Sequence, residues 1–249
     1  MMVSIVLLTW NRCRFLERCL SSLFTSLSGK FDYEFLVLDN GSTDSTAGVL
    51  DSFKRQYPGL VVFNKPKNQG LNAYKILFKR AKGDVIIEVD DDILNFPKSF
   101  DETIVDYLSA YGDYGFLALN VIQDEHTNGA KPTASQYIED RRNGKVVERG
   151  PTGGWCTGFR RRDYWKVHLF FNFIPLNMKR CEDGMLTTLF RVLLHLKAGI
   201  IQKAVCLHAC GPYFAAVYGQ LDREIEKYRA SGLLDIARSY VELKKMKVL

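Results

Sequence analysis

The 249-residue sequence has no apolar run near the ~20 residues that a membrane-crossing helix needs, so no such span is expected. Its six cysteines, at positions 13, 19, 156, 181, 206 and 210, form no compact framework. In a chain this long they read as reduced thiols of an intracellular protein. The segment CLHAC, from Cys206 to Cys210, has no second paired cluster, which argues against structural zinc. No G-x-G-x-x-G follows the first apolar run, so a dinucleotide-dependent oxidoreductase is not expected. The segment TWNRCRF also lacks the glycines that a nucleotidylyltransferase phosphate loop would want. The opening MMVSIVLLTWNR has no charged leader, and its apolar run is too short for a secretion signal. Internal repeats and low-complexity segments are missing too.

What remains is an ordinary globular composition, 47% hydrophobic and 25% charged. The net charge of +6 favours acidic partners such as phosphates, nucleic acid or an anionic membrane face. The basic residues are nevertheless spread along the chain, and the one compact cluster is ELKKMKVL at the end. Nucleic acid is not expected as a partner.

The first half alternates strand and helix. VSIVLLTW (3–10), YEFLVLD (33–39), LVVFNK (60–65) and DVIIEVD (84–90) read as buried strands, being apolar and β-branched. Helices are expected after each: one with Phe15, Leu16, Cys19, Leu20, Leu23, Phe24 and Leu27 on its inner face, one ending near Tyr57, one from 71 to 82, and one opened by Pro97. This pattern predicts an α/β fold with a doubly wound, mostly parallel sheet flanked by helices. A further strand is expected at 115–122, a loop or hairpin over 123–150, a helix near Glu182, and a strand at 200–209. One long amphipathic helix, about 220–247, closes the chain. The expected division is a body at 1–219, with halves 1–122 and 123–219, and a helical extension at 220–249.

Ligands of such sheets sit beyond the strands' carboxyl ends. That edge would gather Thr9, Trp10, Asn11 and Arg12 after the first strand, Asp39 after the second, Asn68 and Gly70 after the third, and Asp90, Asp91 and Asp92 after the fourth. Asp90 and Asp92 lie two apart and share a side of an extended chain. Two carboxylates held together repel unless a cation sits between them. Mg²⁺ takes one or two protein carboxylates and completes its shell with water and phosphate oxygens. The triplet therefore reads as a metal–diphosphate site, against the alternative of a solvated acidic turn. Asp39 is either an acceptor for a nucleobase or ribose group, or a turn-forming Asx residue.

The strings VSIVLLTWNR, FLVLDNGSTDST, NQGLNAYK and VIIEVDDD, in this order and spacing, resemble the family 2 glycosyltransferases, which have the GT-A fold. The likeness is tight over about 3–95 and looser to about 210. Leu8 and Trp10 stand where that family usually has proline and tyrosine, Asn40 replaces a second aspartate, and Lys75 stands where arginine is common. The resemblance implies an inverting transferase that takes a sugar from a nucleotide-diphosphate sugar with the help of Mn²⁺ or Mg²⁺. It implies that Thr9, Asn11, Arg12 and Asp39 hold the nucleoside, that Asp90 meets the ribose or the metal region, and that Asp92 ligates the metal. Lys75 would supply positive charge nearby.

CEDG supplies Glu182 and Asp183 at a helix start. By themselves they suit a helix N-terminus through the macrodipole. The resemblance makes Asp183 the general base and Glu182 a support for the acceptor. It also makes His208 a metal ligand, where the residue alone could equally be a buried, hydrogen-bonded histidine. Trp155, in GGWCTGFRRR, either stacks on a sugar ring or belongs to the core. Arg160 to Arg162 face pyrophosphate, a lipid phosphate or water. The closing helix either packs on the body or a second copy, or lies on an anionic membrane. The expected acceptor is a carbohydrate, a lipid-linked glycan or a protein, and the expected location is cytoplasmic or peripheral on the inner membrane face. The alternative is a non-catalytic nucleotide-sugar or glycan-binding module on the same fold.

Overall fold

A computed structural model describes residues 1–127 and 131–245. The apolar run Met2–Thr9 forms β1, which pairs in parallel with β2 (Asp32–Asp39) on one side. β3 (Leu60–Asn64) extends β2, and β4 (Val85–Asp90) flanks β1 on its other side, both in parallel. The crossovers are α1 (Cys13–Ser26), α2 (Thr46–Gln56) and α3 (Tyr74–Arg80), the last entered through a 3₁₀ turn at Gly70–Ala73. α1 buries Phe15, Leu16, Cys19, Leu20 and Leu23, the stripe that its spacing demands. Each such side chain contributes about 1.5–3 kcal/mol of burial.

Next come β5 (Ile93–Asn95), α4 (Phe100–Ala110) and β6 (Tyr114–Val121). The polar segment that follows holds a hairpin, β7 (Ile138–Arg142) and β8 (Lys145–Arg149). Its two-residue turn, Asn143–Gly144, has positive φ at both positions, as a tight hairpin requires. β9 (Cys156–Arg160), α5 (Arg161–Phe173), α6 (Glu182–Leu194) and β10 (Lys197–His208) complete the body. The sheet order is β3-β2-β1-β4-β9-β6-β10-β8-β7, with β5 paired to β10. β1, β2, β3, β4, β6 and β10 run the same way, and β9 lies antiparallel between β4 and β6.

Three readings change, two of them in this second half. The stretch 156–173 forms a central strand and a helix, where the sequence showed only a glycine-rich and then basic segment. Gly158 explains the disguise. A Cβ there would lie 2.1 Å from Ile104 Cγ2, so α4 reaches the sheet only over a bare backbone. The helix after Pro97 starts at Phe100, because Ser99 sits at φ 54 and delays it.

The third change concerns the expected closing helix. After α7 (Pro212–Val217) it is two helices, α8 (Leu221–Ala230) and α9 (Leu234–Lys245). Gly232, at φ +68, ends α8, and Leu233 N–H returns to the Tyr228 carbonyl. The break lets Ile225 of α8 and Tyr240 of α9 pack together with Ala215. The expected end of that helix, at Lys247, lies outside the described residues, as do 128–130 of the polar segment. Among the described residues no helix is long and apolar enough to cross a membrane.

Candidate active site

Register brings the strand ends together. Thr9 pairs with Asp39, and Leu8 pairs with Asp90, so the tips of β1, β2 and β4 are level. A cleft of about 1130 Å³ opens there. Its walls include Thr9, Trp10, Arg12, Asn68, Gly70, Asp90 to Asp92, Glu182, Asp183 and His208.

The aspartate triplet divides its work. Asp91 Oδ2 accepts from the Thr9 hydroxyl at 2.7 Å. Arg12 Nη1 donates to Asp91 Oδ1 at 2.8 Å and to Asp92 Oδ2 at 2.6 Å. His208, at the end of β10, places Nε2 3.1 Å from Asp92 Oδ1 and 3.6 Å from Asp90 Oδ2. Asp92 Oδ1 is buried, and its contact is this ion pair with His208. One ligand atom each from Asp90, Asp92 and His208 lie within 4.8 Å of one another.

The charges are balanced by proximity. Burial and the Asp92 charge push the Asp90 carboxyl up to about 6. Burial would raise Asp92 too, but Arg12 and His208 hold it well below the usual carboxylate range. Burial alone would lower His208, and Asp92 more than reverses that. A buried carboxylate, a half-buried one and a converging imidazole, with ligand atoms this close, fit a divalent ion. The mixed N,O donor set suits Mn²⁺ better than Mg²⁺.

Across the cleft, Cys181 precedes α6 and the first turn presents Glu182 and Asp183. Asp183 Oδ2 accepts from Gly154 N–H at 2.9 Å, which fixes the carboxylate against the loop before β9. Glu182 is buried beside it, and burial together with the Asp183 charge raises its pKa well above the ordinary value. Beneath both lies Glu88 in mid-β4, fully buried, with both oxygens lacking hydrogen bonds. Burial and the charges of Glu182 and Asp183 drive its pKa up as well. Among apolar neighbours in VIIEV, Glu88 was itself a signal, and the sequence reading passed over it. Tyr74, whose hydroxyl meets Asp90 Oδ1 at 3.3 Å, was also missed.

Other expected residues stand differently. Asp39 accepts from Ser42 N–H at 2.9 Å, and Asn11 Oδ1 accepts from Thr43 N–H at 2.7 Å. Both brace the turn after β2, and neither lines the cleft. Asn40 lines it instead, donating to Asn68 Oδ1 at 2.9 Å and to the Gly70 carbonyl at 3.1 Å. Lys75 points away: its Nζ donates to the carbonyls of Asn172 (3.1 Å) and Ile174 (2.6 Å). Trp155 is 4% exposed and donates Nε1–H to the Leu119 carbonyl at 2.8 Å, so it belongs to the core and forms part of the cleft floor. Arg160 turns inward, donating to the carbonyls of Tyr114 and Leu108.

α8 closes the cleft with Arg223, Glu224 and Lys227. No motif announced them, because they meet Arg12 only through a chain reversal more than two hundred residues later.

The sheet order, with an aspartate triplet ending β4 and an acidic pair opening α6, defines the GT-A class of glycosyltransferase folds. The chain belongs to glycosyl transferase family 2, whose model matches residues 4–168. Over 98 residues it is 36% identical to a poly(ribitol-phosphate) beta-glucosyltransferase of Bacillus spizizenii, a match covering 37% of this chain and 15% of that protein. The chain spans only 15% to 58% of the length of the curated relatives it matches. Its fold is similar to that of the mannosyltransferase PcManGT from Pyrobaculum calidifontis, solved with GDP-Man and Mn²⁺. That likeness has a TM-score of 0.65 at 15% identity, covering 99% of this chain and 76% of that one. It is likewise similar to S. aureus TarS 1–349 in complex with UDP-GlcNAc, with a TM-score of 0.65 at 16% identity, covering 94% and 66%.

Proposed function

We propose that the protein transfers a sugar from a nucleotide-diphosphate sugar to an acceptor hydroxyl, with inversion at the anomeric carbon. One observation carries the reading: Asp90, Asp92 and His208 face Asp183 across a single cleft. The ligands bound to PcManGT and TarS support a nucleotide-sugar donor.

In this reading Asp90, Asp92 and His208 hold a divalent ion. When bound, that ion supplies positive charge to the leaving diphosphate. Thr9 and Arg12 fix Asp91 and Asp92, so the carboxylates are oriented before donor arrives. Asn40, Asn68 and Gly70 shape the wall for the nucleoside. Asp183 takes the proton of the acceptor hydroxyl as that oxygen attacks, and Gly154 N–H keeps the carboxylate aimed. Glu182 and Glu88, behind it, are driven toward their neutral forms by burial and by the charge of neighbouring carboxylates. Residues 1–122 would hold the donor and 123–219 the acceptor, which is a glycan, a lipid-linked glycan or a protein.

Asp183→Asn tests the assignment. Donor binding, measured calorimetrically, should stay near that of the parent, while transfer falls by about 10³-fold or more. Turnover near the parent's would sink the assignment. Absence of sugar release from every nucleotide sugar, with or without Mn²⁺, would instead favour a binding module.

A further inference from the structure

Glu224 is a buried acid whose three cationic neighbours hold its carboxyl well below the usual carboxylate range. It lies on α8 with its side chain 5% exposed, at the edge of the cleft. Its carboxylate collects three cations. Oε1 accepts from Arg12 Nη2 at 2.8 Å and from Arg223 Nη1, and Oε2 meets Lys227 Nζ at 2.6 Å. Arg12 Nη1 holds Asp91 and Asp92, the second of which is a candidate metal ligand. Arg223 is anchored separately, donating Nε–H to the Trp10 carbonyl at 3.0 Å and lying 5.2 Å from the Trp10 ring centroid. Arg12 Nε is buried with no hydrogen-bond partner. On this side of the cleft, then, three largely buried cations converge on the Glu224 carboxylate, with Arg12 also shared by Asp91 and Asp92.

A strut that only had to hold α8 in place would be at least as stable if built from apolar side chains. A carboxylate at the centre of a cation cluster on the wall of a cleft occupies the place that an anionic ligand would take. Burial depresses the basicity of Arg223 and Lys227, and Arg12 adds to that effect in both. Such cations gain from a ligand with more charge and more oxygens than one carboxylate offers.

We propose that Glu224 is an internal stand-in for phosphate: the donor's diphosphate displaces its carboxylate, and Arg12, Arg223 and Lys227 then hold the phosphate oxygens. This deepens the donor reading given above and rests on it. α8 becomes the element that senses the diphosphate. A nucleoside without phosphate leaves the Glu224 contacts intact.

The test is calorimetry on the full chain with Mn²⁺ present. The titrants are UDP, GDP and inorganic pyrophosphate, with uridine and guanosine as the phosphate-free arm. Glu224→Gln keeps the shape and removes the competing charge, so the diphosphates that bind should do so about ten-fold more tightly, with nucleosides unchanged. Arg223→Met and Lys227→Met should each weaken the diphosphates by about ten-fold and spare the nucleosides. Ligand-free melting of each variant confirms folding, and the two cation variants carry the test if Glu224→Gln does not fold. Diphosphate affinity unchanged or weakened in a folded Glu224→Gln overturns the inference alone. Equal losses for nucleosides and diphosphates in the cation variants do the same. A parent chain that binds none of the diphosphates removes the donor reading and the inference with it.

Discussion

Asp90 shows how one side chain's surroundings set its behaviour. Its carboxyl is held at about 6 in the folded chain, against about 4 in an unfolded one. The folded state therefore binds that proton more tightly. This group's contribution to stability is complete below about pH 4 and is lost as pH rises through 6. Asp90→Asn should thus gain stability relative to the parent between pH 5 and pH 7.5 with chelator present, by on the order of 1 kcal/mol. Urea denaturation at the two pH values measures it, and a difference that does not change with pH would contradict the burial argument. At this scale the sequence was informative. The triplet's position at a strand end was visible, and so was the acidic pair at a helix start. The neutral drift of Glu88 and Glu182 was not, because it depends on which carboxylates the fold stacks together.

Elements explain residues that chemistry alone misplaces. Lys75 looked like a cation for the donor because it follows the 3₁₀ turn at the cleft. α3 turns it instead toward the end of α5, where it supplies donors to two carbonyls that the helix leaves unpaired. Lys75→Met should cost about 1–3 kcal/mol of stability in denaturant unfolding. Its donor KM should stay within about two-fold of the parent's. A large rise in KM with unchanged stability would return Lys75 to the donor site. The strands and helices of 3–90 were legible because each buries a regular apolar stripe. β9 and α5 were not. Gly158 replaces the side chain that would have marked a strand, and the arginines of α5's first turn mask a helix whose buried face is Tyr164, Val167 and Phe171.

At the scale of the molecule, the cleft is assembled from parts far apart in sequence. β1, β4, β10, α6 and α8 each contribute, and a ligand that touches all of them should tie them together. Mn²⁺ with a bound nucleoside diphosphate at about a hundred times Kd should add about 2.7 kcal/mol to stability. For a chain of this size that corresponds to a melting shift of roughly 5–10 °C. Asp92→Asn should lose the Mn²⁺-dependent part of the shift in scanning fluorimetry, and a shift that survives intact would place the ion elsewhere.

The sequence by itself determined the alternating half of the sheet, the strand end where three aspartates gather, and the acidic start of α6. Those follow from local rules: apolar period, chain reversal, and acids at helix N-termini. Only the tertiary structure decided that β9 runs antiparallel through the middle of the sheet and that His208 completes a cluster with Asp90 and Asp92. It alone decided that α8 brings Glu224 onto Arg12. These contacts join segments as far as 212 residues apart, where no periodicity in the chain links one partner to the other.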